Sequence, residues 1–478
     1  MRFLRAIMLI AVGFCSLTCP AGAQVITQDE FLSQLKQFHP LFERERMTSD
    51  IEKEERSSFL GAEDWNLLSS VGFSHEEPSV AFAGPERTDA FSVSGGVERA
   101  FWKTGGRLSA SFSSTRASLK IDPLWGFPDS FYENRLAVSY AHPLMRNRNG
   151  FLDRLQYNLK RFDIDFSDVQ ALENMEGFLA NCADKFFDWV LLTEQMKIAS
   201  DRLRLAEEEL ARTKKKRRAH LVDQIDVIRA EDAVRIGKQS EMLVESRWKS
   251  LQAELAVLSQ NHEIYNVTPQ FDLYQTEELI SLEDVLTDLK AKSRIITAIN
   301  IRLRQLRLAR SGYDETSKPN LLFLAELNTK NLDESFGKSL AMDKPDALIG
   351  LQFSVPLEKR TSKHQVARTD LQISQLRKQL DEVTLDLSSA LTHLHIQIRE
   401  LEDVLKLNQE QIESAKQKTQ EELKLYNQGR GDLTFVIQSR DNEENAKLTY
   451  AQNSTLYHKL ILQYRSLLDE LLPSPQRE

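Results

Sequence analysis

Apolar residues recur at helical spacing along a stretch that contains almost nothing to interrupt a helix. No proline occurs over residues 357–472, and the glycines in that run are Gly429 and Gly431. A period of three to four residues over such a length predicts two long helices joined by one turn. We therefore predict a helical hairpin over about 361–472. Its apolar stripe consists of Leu376, Leu380, Val383, Leu387, Leu391, Leu394, Ile398, Leu401 and Leu405.

A second stretch with the same character lies earlier in the chain. Residues 150–260 contain no proline, and the helical period extends through them. At about 1.5 Å per residue, residues 151–218 alone would extend roughly 100 Å as one helix. No compact soluble domain needs a helix of that length. We predict a second helical hairpin over about 150–261, which turns near His220.

Ahead of each hairpin, apolar and polar residues alternate with period two, which is typical of strands with one apolar face. The alternation predicts strands within about 64–142 and about 319–356. A turn at 103–106 separates two of them. Aromatic residues lie near the predicted strand ends, as in an interfacial girdle: Phe101, Trp102, Trp125, Phe131 and Tyr132.

The order of these segments repeats, which predicts an internal duplication. The first repeat, 24–262, holds a helix-like segment, strands and a hairpin. The second, 263–478, repeats that order, with a helix at about 281–312. Matching points lie at a near-constant offset: Asp226 and Phe435 are 209 positions apart, and two Pro-Leu pairs that end strands are 213 apart.

The strands can be interpreted in two ways. A soluble sheet with one buried face fits the alternation, and so does a sheet in a membrane. Lipid does not tolerate open strand edges, so a few strands per chain would require several chains to share one barrel. One strand pair per half gives four strands per chain, and the hairpin around 103–106 would raise the first half to four. A trimer of four-stranded chains would have twelve strands, and a dimer eight.

Composition and the first residues indicate an exported, acidic protein. Residues 1–23 have the pattern of a secretory signal, with Arg2 and Arg5, an apolar run too short for a membrane anchor, and a small-residue cleavage site. The remainder has 60 basic and 71 acidic residues, a formal net charge of −11, which argues against nucleic-acid binding. Cys182 is the one cysteine after the signal, so no intrachain disulfide is expected.

The sequence contains no motif that indicates a catalytic or metal-binding site. His393 and His395 are two positions apart on a predicted helix and so do not share a face. The sequence has no Cys–His cluster, phosphate-binding glycine loop or nucleophile motif. We therefore expect neither an enzyme nor a bound metal or cofactor.

Several of these features occur together in one known family. The signal, the duplication, the segment from Asp226 to Glu231, and the Tyr426-x-x-Gly429 turn followed by Val436-Ile437 resemble the TolC-like outer membrane efflux proteins, or outer membrane factors. The resemblance implies an internally duplicated α+β membrane protein. Its strands would contribute to a shared trimeric outer membrane β-barrel, and its long α-helical hairpins would form a periplasmic α-barrel tunnel.

The resemblance also implies a function and partners. The chain would be the exit duct of a tripartite efflux or type I secretion system, in the cell outer membrane with a periplasmic extension. Its partners would be two further copies of itself, a periplasmic adaptor (membrane fusion protein), an inner-membrane pump and outer membrane lipid. The alternative is a periplasmic coiled-coil adaptor or structural protein without a channel. Strands in both repeats disfavour that alternative.

Four residues are candidates for a periplasmic gate or pore lining. In the family, the hairpin turns close the periplasmic end and often present acids to the pore. The equivalent positions here are Phe435 and Gln438, and the remaining nearby acids are Asp432 and Asp226. Phe435 predicts either an apolar constriction that excludes water or simple helix packing. Asp432 also fits a helix N-cap.

The turns themselves carry the remaining candidates. Gly429 and Gly431 are predicted to supply positive φ angles, and His220 stands where the family usually has glycine. A basic run precedes the first turn. It predicts either a solvated helix end, where cations are favourable, or a docking patch for the adaptor or pump. The run consists of Lys214, Lys215, Lys216, Arg217 and Arg218.

Overall fold

The computed structural model of the protein describes residues 24–77, 85–120 and 128–472. The predicted signal at 1–23 and the girdle residue Trp125 lie outside these residues. The strands are β1 (Gln24–Ile26), β2 (Asn66–Glu76), β3 (Arg87–Phe101), β4 (Gly106–Lys120), β5 (Ser130–Pro143), β6 (Val267–Pro269), β7 (Asn320–Asp333) and β8 (Lys344–Ser354). The helices are α1 (Gln28–Phe38), α2 (Pro40–Ser58), α3 (Leu155–Arg218), α4 (Gln224–Leu258), α5 (Leu282–Lys292), α6 (Arg294–Thr316), α7 (Phe336–Ser339), α8 (Arg360–Asn427) and α9 (Leu433–Leu467).

The chain forms two compact units, and each draws residues from both predicted repeats. Within the described residues, unit 1 comprises 24–42, Glu176–Leu282 and Leu391–Leu471, and unit 2 comprises Glu43–Met175, Glu283–Ala390 and residue 472. Parts of α3 and α8 belong to each unit. The compact units are therefore discontinuous in sequence.

Unit 1 is held together by an aromatic core on α3. Trp189 and Phe186 are fully buried, and Phe186 stacks on Phe31 of α1 with ring centroids 5.7 Å apart. Burying one such side chain contributes about 2 kcal/mol, so this cluster is a principal source of the unit's stability. The other fully or nearly buried members are Ile26, Leu35, Cys182, Val190, Leu255, Ala256, Ile264, Val267, Leu273 and Ala451.

The segment that follows β6 is fastened to α9 by His458. Its ring lies between Phe187 and Phe271, with centroids 5.7 and 4.7 Å away. The Nε2–H donates to the carbonyl of Leu273 at 3.1 Å. Burial among these rings holds the pKa of His458 below its ordinary value, because a charged imidazole would lose its hydration there. The neighbouring Tyr457 hydroxyl donates to the carbonyl of Glu277 at 3.1 Å.

Unit 2 is organised around a six-stranded antiparallel sheet in the order β2-β3-β4-β5-β7-β8. The first half of the chain contributes four strands and the second half two. The turn at 103–106 therefore does connect two long strands, and the chain has six strands in this sheet instead of the minimum count of four. Gly105 in that turn has a φ of +75°, the left-handed conformation that glycine adopts without strain.

The register gives this sheet one apolar and one polar face. One row across all six strands reads Leu67, Val97, Ala110, Val138, Leu327 and Ala347. A row on the opposite face reads Ser70, Ser94, Ser113, Arg135, Lys330 and Lys344. Directly opposed residues point to the same side of a sheet, so the period-two alternation in the sequence becomes two chemically different surfaces.

Trp102 corrects the prediction of an aromatic girdle at that position. Its side chain is 6% exposed, and its ring meets Tyr157 edge-on with centroids 5.4 Å apart. Its backbone N–H donates to Glu63 Oε1 at 2.9 Å. Trp102 therefore packs the turn of the β3–β4 hairpin against the start of α3 and is not available to an interface.

The helices of unit 2 pack through the stripe that the sequence indicates. Ile299 and Leu303 of α6 pack with Ile373 of α8, and Leu376, Leu380 and Val383 surround them. Further along α8, in unit 1, Leu391 and Ile398 are fully buried. Among the described helices, none is both long enough and apolar enough to cross a bilayer.

We predict that protonation of His458 destabilises the protein. Because its folded-state pKa lies below the unfolded value of about 6.5, the unfolded chain binds more protons at low pH. The contribution of neutral His458 to the free energy of unfolding is therefore complete above the unfolded pKa of about 6.5, and it is lost as the pH falls from there towards the folded-state pKa. The apparent Tm of purified protein between pH 8 and pH 5 measures this. In His458→Gln, the fall in Tm towards acid should be smaller than in the wild type.

The matched control for His458 is His393, which is exposed on α8. His393→Gln should retain the wild-type dependence of Tm on pH. Equal slopes for His458→Gln and the wild type would contradict the assignment.

Candidate functional site at the paired hairpin turns

Turn 1 (residues 219–223) joins α3 to α4 through a Schellman motif. The N–H of Leu221 donates to the carbonyl of Lys216 at 3.0 Å, and the N–H of His220 to that of Arg217 at 3.0 Å. These two bonds satisfy carbonyls that the end of a helix otherwise leaves free. The motif requires a left-handed residue, and His220 adopts a φ of +58°.

Turn 2 (residues 428–432) joins α8 to α9 through the same motif. The N–H of Arg430 donates to the carbonyl of Leu425 at 3.0 Å, and the N–H of Gly429 to that of Tyr426 at 3.1 Å. Gly429 is the left-handed residue, with a φ of +73°. Turn 2 therefore repeats turn 1 bond for bond, with glycine where turn 1 has histidine.

Gly431 has a different role from the one predicted. Gly429 has the expected positive φ, whereas Gly431 does not. A Cβ on Gly431 would lie 3.0 Å from the backbone nitrogen of Tyr426 and 3.2 Å from the carbonyl carbon of Leu425. Gly431 is therefore needed so that the chain can pass close to the end of α8, and conformational freedom is not the reason for it.

An aspartate opens the helix after each turn. Asp432 is the N-cap of α9, and its Oδ1 accepts from the N–H of Thr434 at 2.7 Å. Hydrogen bonds from the side chain of Thr434 and from its backbone N–H, together with the nearby Arg229 cation, hold the pKa of Asp432 below its usual value. Asp223 is the N-cap of α4, and its N–H donates to Asp226 Oδ2 at 3.2 Å. Asp226 thus closes a reciprocal cap at the start of α4.

Arg229 connects the two turns electrostatically. Its Nη1 lies 3.5 Å from Oδ1 of Asp226 and 3.7 Å from Oδ1 of Asp432. Arg229 and Asp432 are about half exposed, so this pairing contributes at most about 1 kcal/mol. Its larger consequence is that Asp226 and Asp432, the two acids predicted to line the pore, have a cation beside them.

Tyr426 anchors turn 2 against turn 1. The residue is 7% exposed and packs with Ala230, Leu433 and Val436. Lys216 of α3 places its Nζ 3.5 Å from the centroid of the Tyr426 ring, a cation–π contact. Burial lowers the pKa of Lys216 and raises that of Tyr426. The two hairpins therefore meet through both apolar and electrostatic contacts.

Behind the turns, α3, α4 and α9 line a half-open cavity of about 380 Å³. Its apolar lining includes Leu205 and Ile437. Glu209, which is almost completely buried, pairs with Arg440 at 3.5 Å. A buried carboxylate is costly unless a cation accompanies it, so Arg440 makes Glu209 tolerable in this position.

The predicted gate residues differ in how they are engaged. Phe435, in the first turn of α9, is 55% exposed and lies outside the apolar cluster around Tyr426. Gln438 is exposed and borders the cavity. Asp432 and Asp226 are engaged in helix caps and with Arg229. Phe435 is thus an apolar side chain at the turns that the chain itself leaves largely uncovered.

The predicted docking run divides into two groups. Lys214 pairs with Glu231 at 3.0 Å, Lys216 covers Tyr426, and Arg217 Nη1 donates to the carbonyl of Val222 at 3.2 Å. Lys214 and Arg217 thus stabilise the first hairpin, and Lys216 joins it to the second. Lys215 and Arg218 are exposed and make no ion pair within the described part of the chain.

The comparisons with known proteins agree on the architecture. No protein-family model and no curated protein sequence matches the chain. Among solved structures, it is similar to the outer membrane protein VceC of Vibrio cholerae at 10% identity, with 92% of this chain and 96% of that chain covered and a TM-score of 0.67. The Campylobacter jejuni CmeC outer membrane channel matches at 10% identity, with 93% and 85% covered and a TM-score of 0.65. The Neisseria gonorrhoeae MtrE outer membrane channel matches at 13% identity, with 94% and 91% covered and a TM-score of 0.65.

The chain has the TolC-like outer membrane channel fold. The predicted α+β class, with long helices and a sheet, is thereby confirmed. At 10–13% identity the likeness establishes the fold, and the roles of individual residues rest on the geometry described above.

Within this TolC-like fold, sequence reasoning missed Arg229 and Glu209. Arg229 follows Asp226 by three positions, a spacing that favours an ion pair on one helix and could have drawn attention to it. Its approach to Asp432 depends on how the two hairpins pack. Glu209 lies in a charged helical stretch whose sequence predicts exposure to solvent. Its neighbours Glu207 and Glu208 have the same side chain, so the sequence does not indicate that Glu209 is the buried one.

We predict that alanine has opposite effects at two glycines. Gly429→Ala should lower the free energy of unfolding by about 1–2 kcal/mol, because alanine is strained at a left-handed φ. Gly177→Ala, in α3, should raise it by up to about 1 kcal/mol, because Gly177 lies inside a helix and a Cβ there meets no atom within 4 Å. Denaturant unfolding of both variants provides the measurement.

The third variant for this test is His220→Gly, which should be neutral or slightly stabilising, since glycine relieves the left-handed strain. A loss of stability in His220→Gly as large as that in Gly429→Ala would show that the φ angles are not what distinguishes these positions.

Proposed function

We propose that the protein is an outer membrane exit duct of a tripartite efflux or type I secretion system. The observation that carries this proposal is the apolar face of the six-stranded sheet, which the chain leaves uncovered. Leu67, Val71, Phe73, Ile349 and Leu351 on that face are each at least 67% exposed. Contiguous apolar surface of this extent marks a membrane or protein contact.

The unpaired edges of the sheet support an oligomer. Within the described residues, β2 and β8 each pair on one side only. An open edge is not stable in lipid, so the sheet requires neighbouring copies to complete its backbone hydrogen bonds. The structural neighbours are outer membrane channels, and the family resemblance implies three copies. We adopt the homotrimer for that reason.

The geometry of the turns favours an apolar gate. Asp226 and Asp432 both lie beside Arg229, so their charges are partly compensated. Phe435 is largely exposed in the first turn of α9. In an assembly that brings several copies of these turns together, Phe435 would line a constriction that excludes water. Gln438 and the compensated acids would line the approach to it.

The exposed cations near turn 1 form a candidate contact for partners. Lys215 and Arg218 are free to meet acidic side chains on a periplasmic adaptor or an inner-membrane pump. Such contacts steer association and weaken with salt. The other three basic residues of the run contact the protein's own hairpins and would contribute less to docking.

We predict that cell fractionation places the mature protein in the outer membrane as a heat-modifiable oligomer. Unheated and boiled samples on denaturing gels measure this, because a membrane β-barrel resists detergent until it is heated. A periplasmic coiled-coil adaptor or structural protein would instead remain soluble and migrate as a monomer in both lanes. That outcome would sink the exit-duct proposal.

We predict that Phe435→Ala raises single-channel conductance in planar bilayers, because it removes an apolar obstruction. An increase of about twofold or more is expected, with a further gain when Asp226→Ala is added. Phe435→Leu is the matched control, since it keeps an apolar side chain and should change conductance little. Wild-type conductance in both Phe435→Ala and the double variant would remove these residues from the gate.

A further inference from the structure

We propose that all six strands of each chain form the wall of one shared pore, so that a trimer closes an eighteen-stranded barrel around a wide lumen lined with hydroxyl groups. The proposal rests on the proposed function, because it takes the sheet to be a membrane barrel. It goes beyond that function by specifying the width and chemistry of the exit. The argument depends on the β3–β4 hairpin, residues 87–120.

The β3–β4 hairpin is an integral part of the sheet. β3 pairs with β4 along the whole of Arg87–Phe101, and β2 and β5 pair with the outer sides of this hairpin. Removing it from the wall would break the pairing of β2 with β3 and of β4 with β5. Because open edges are not tolerated in lipid, β2 and β5 would then have to pair with each other, and the observed backbone hydrogen bonds instead favour a wall that contains all six strands.

The side chains of the hairpin continue both faces of the sheet. Val93 lies beside Val71, and Phe112 lies beside Leu136, so β3 and β4 each continue the apolar face of the strand next to the hairpin. A hairpin outside the barrel would not need an apolar face in register with the other strands. The two-residue alternation that places apolar side chains on the lipid-facing side therefore occurs in all six strands.

The strand number also permits closure. All neighbours in the sheet are antiparallel, so the first strand, β2, and the sixth, β8, run in opposite directions. The β8 edge of one copy can then pair antiparallel with the β2 edge of the next. Both edge strands have 11 residues, enough to span the hydrocarbon core of a membrane as tilted strands.

Eighteen strands imply a much wider pore than twelve. Barrel diameter grows roughly in proportion to strand number, so the cross-section would be about twice as large. Barrels of about this strand number enclose an aqueous channel. The exit is therefore suited to bulky hydrophilic cargo.

The polar face of β2, β3 and β4 is formed mainly by small residues. Serine side chains dominate it, and two of them, Ser70 and Ser94, are joined by a hydrogen bond of 2.8 Å. Charges concentrate on the other three strands, where Arg135 pairs with Glu326 at 3.0 Å and Lys330 with Asp346 at 3.3 Å. Short hydroxyl side chains leave the lumen open, and the pairing limits its net charge.

Cysteine labelling in intact cells tests the proposal. Ser94→Cys and Ser113→Cys, on the polar face of the hairpin, are compared with Val93→Cys and Phe112→Cys, their neighbours on the apolar face. The background is Cys182→Ser; even in the native chain, burial raises the pKa of the Cys182 thiol to about 11 and leaves it unreactive. A charged, membrane-impermeant maleimide should label the first pair about tenfold faster or more, because lipid excludes both water and reagent from the second.

A reference pair on β5 separates failure of this proposal from failure of the proposed function. Ser139→Cys and Val138→Cys occupy the polar and apolar faces outside the hairpin. If this pair alternates but Ser94 and Val93 label alike, the hairpin lies outside the barrel, the proposal is overturned, and the exit duct stands. If the protein is absent from the outer membrane, the proposed function fails and this proposal fails with it.

Electron cryomicroscopy of the wild-type protein in lipid nanodiscs supplies a measurement that needs no variant. A barrel of eighteen strands is the expected result. A barrel of twelve would overturn the proposal whatever the labelling shows.

Discussion

The six-stranded sheet of unit 2 is the constraint on which the rest of this structure depends, because such a sheet is not stable in water by itself. One of its faces exposes many aliphatic and aromatic side chains, and within the described residues both of its edges present unpaired backbone groups. The hydrophobic effect requires a cover for the face, and backbone hydrogen bonding requires neighbours at the edges. In the proposed exit duct, lipid and further copies of the chain would meet these two requirements together.

The two turns in unit 1 reverse the chain between long helices, and both reversals lie side by side. In each turn, a Schellman motif satisfies the last carbonyls of the preceding helix. An aspartate three residues after the left-handed residue then caps the next helix. Tyr426, Lys216 and Arg229 then hold the two reversals together.

Much of the fold could be predicted because its signals are local. Alternation along β2 to β5 and the helical stripe on α8 each reflect their own local environment, and the two glycines at 429 and 431 located turn 2. Signals that depend on tertiary packing could not be read this way. The sequence predicts an interfacial position for Trp102, but the start of α3 covers this side chain. It also predicts a positive φ for Gly431, but glycine is needed there because the end of α8 lies against it. Arg229 acquires its second partner only when the hairpins meet.

The even number of strands has an evolutionary consequence. A hairpin inserted between β2 and β5 adds two antiparallel strands and leaves both edge strands, and therefore the contacts between subunits, unchanged. In a threefold assembly, one such insertion in the gene adds six strands to the circumference. The width of an exit of this design can thus change in large steps through a single genetic event of a few dozen codons, without any new subunit interface having to arise at the same time.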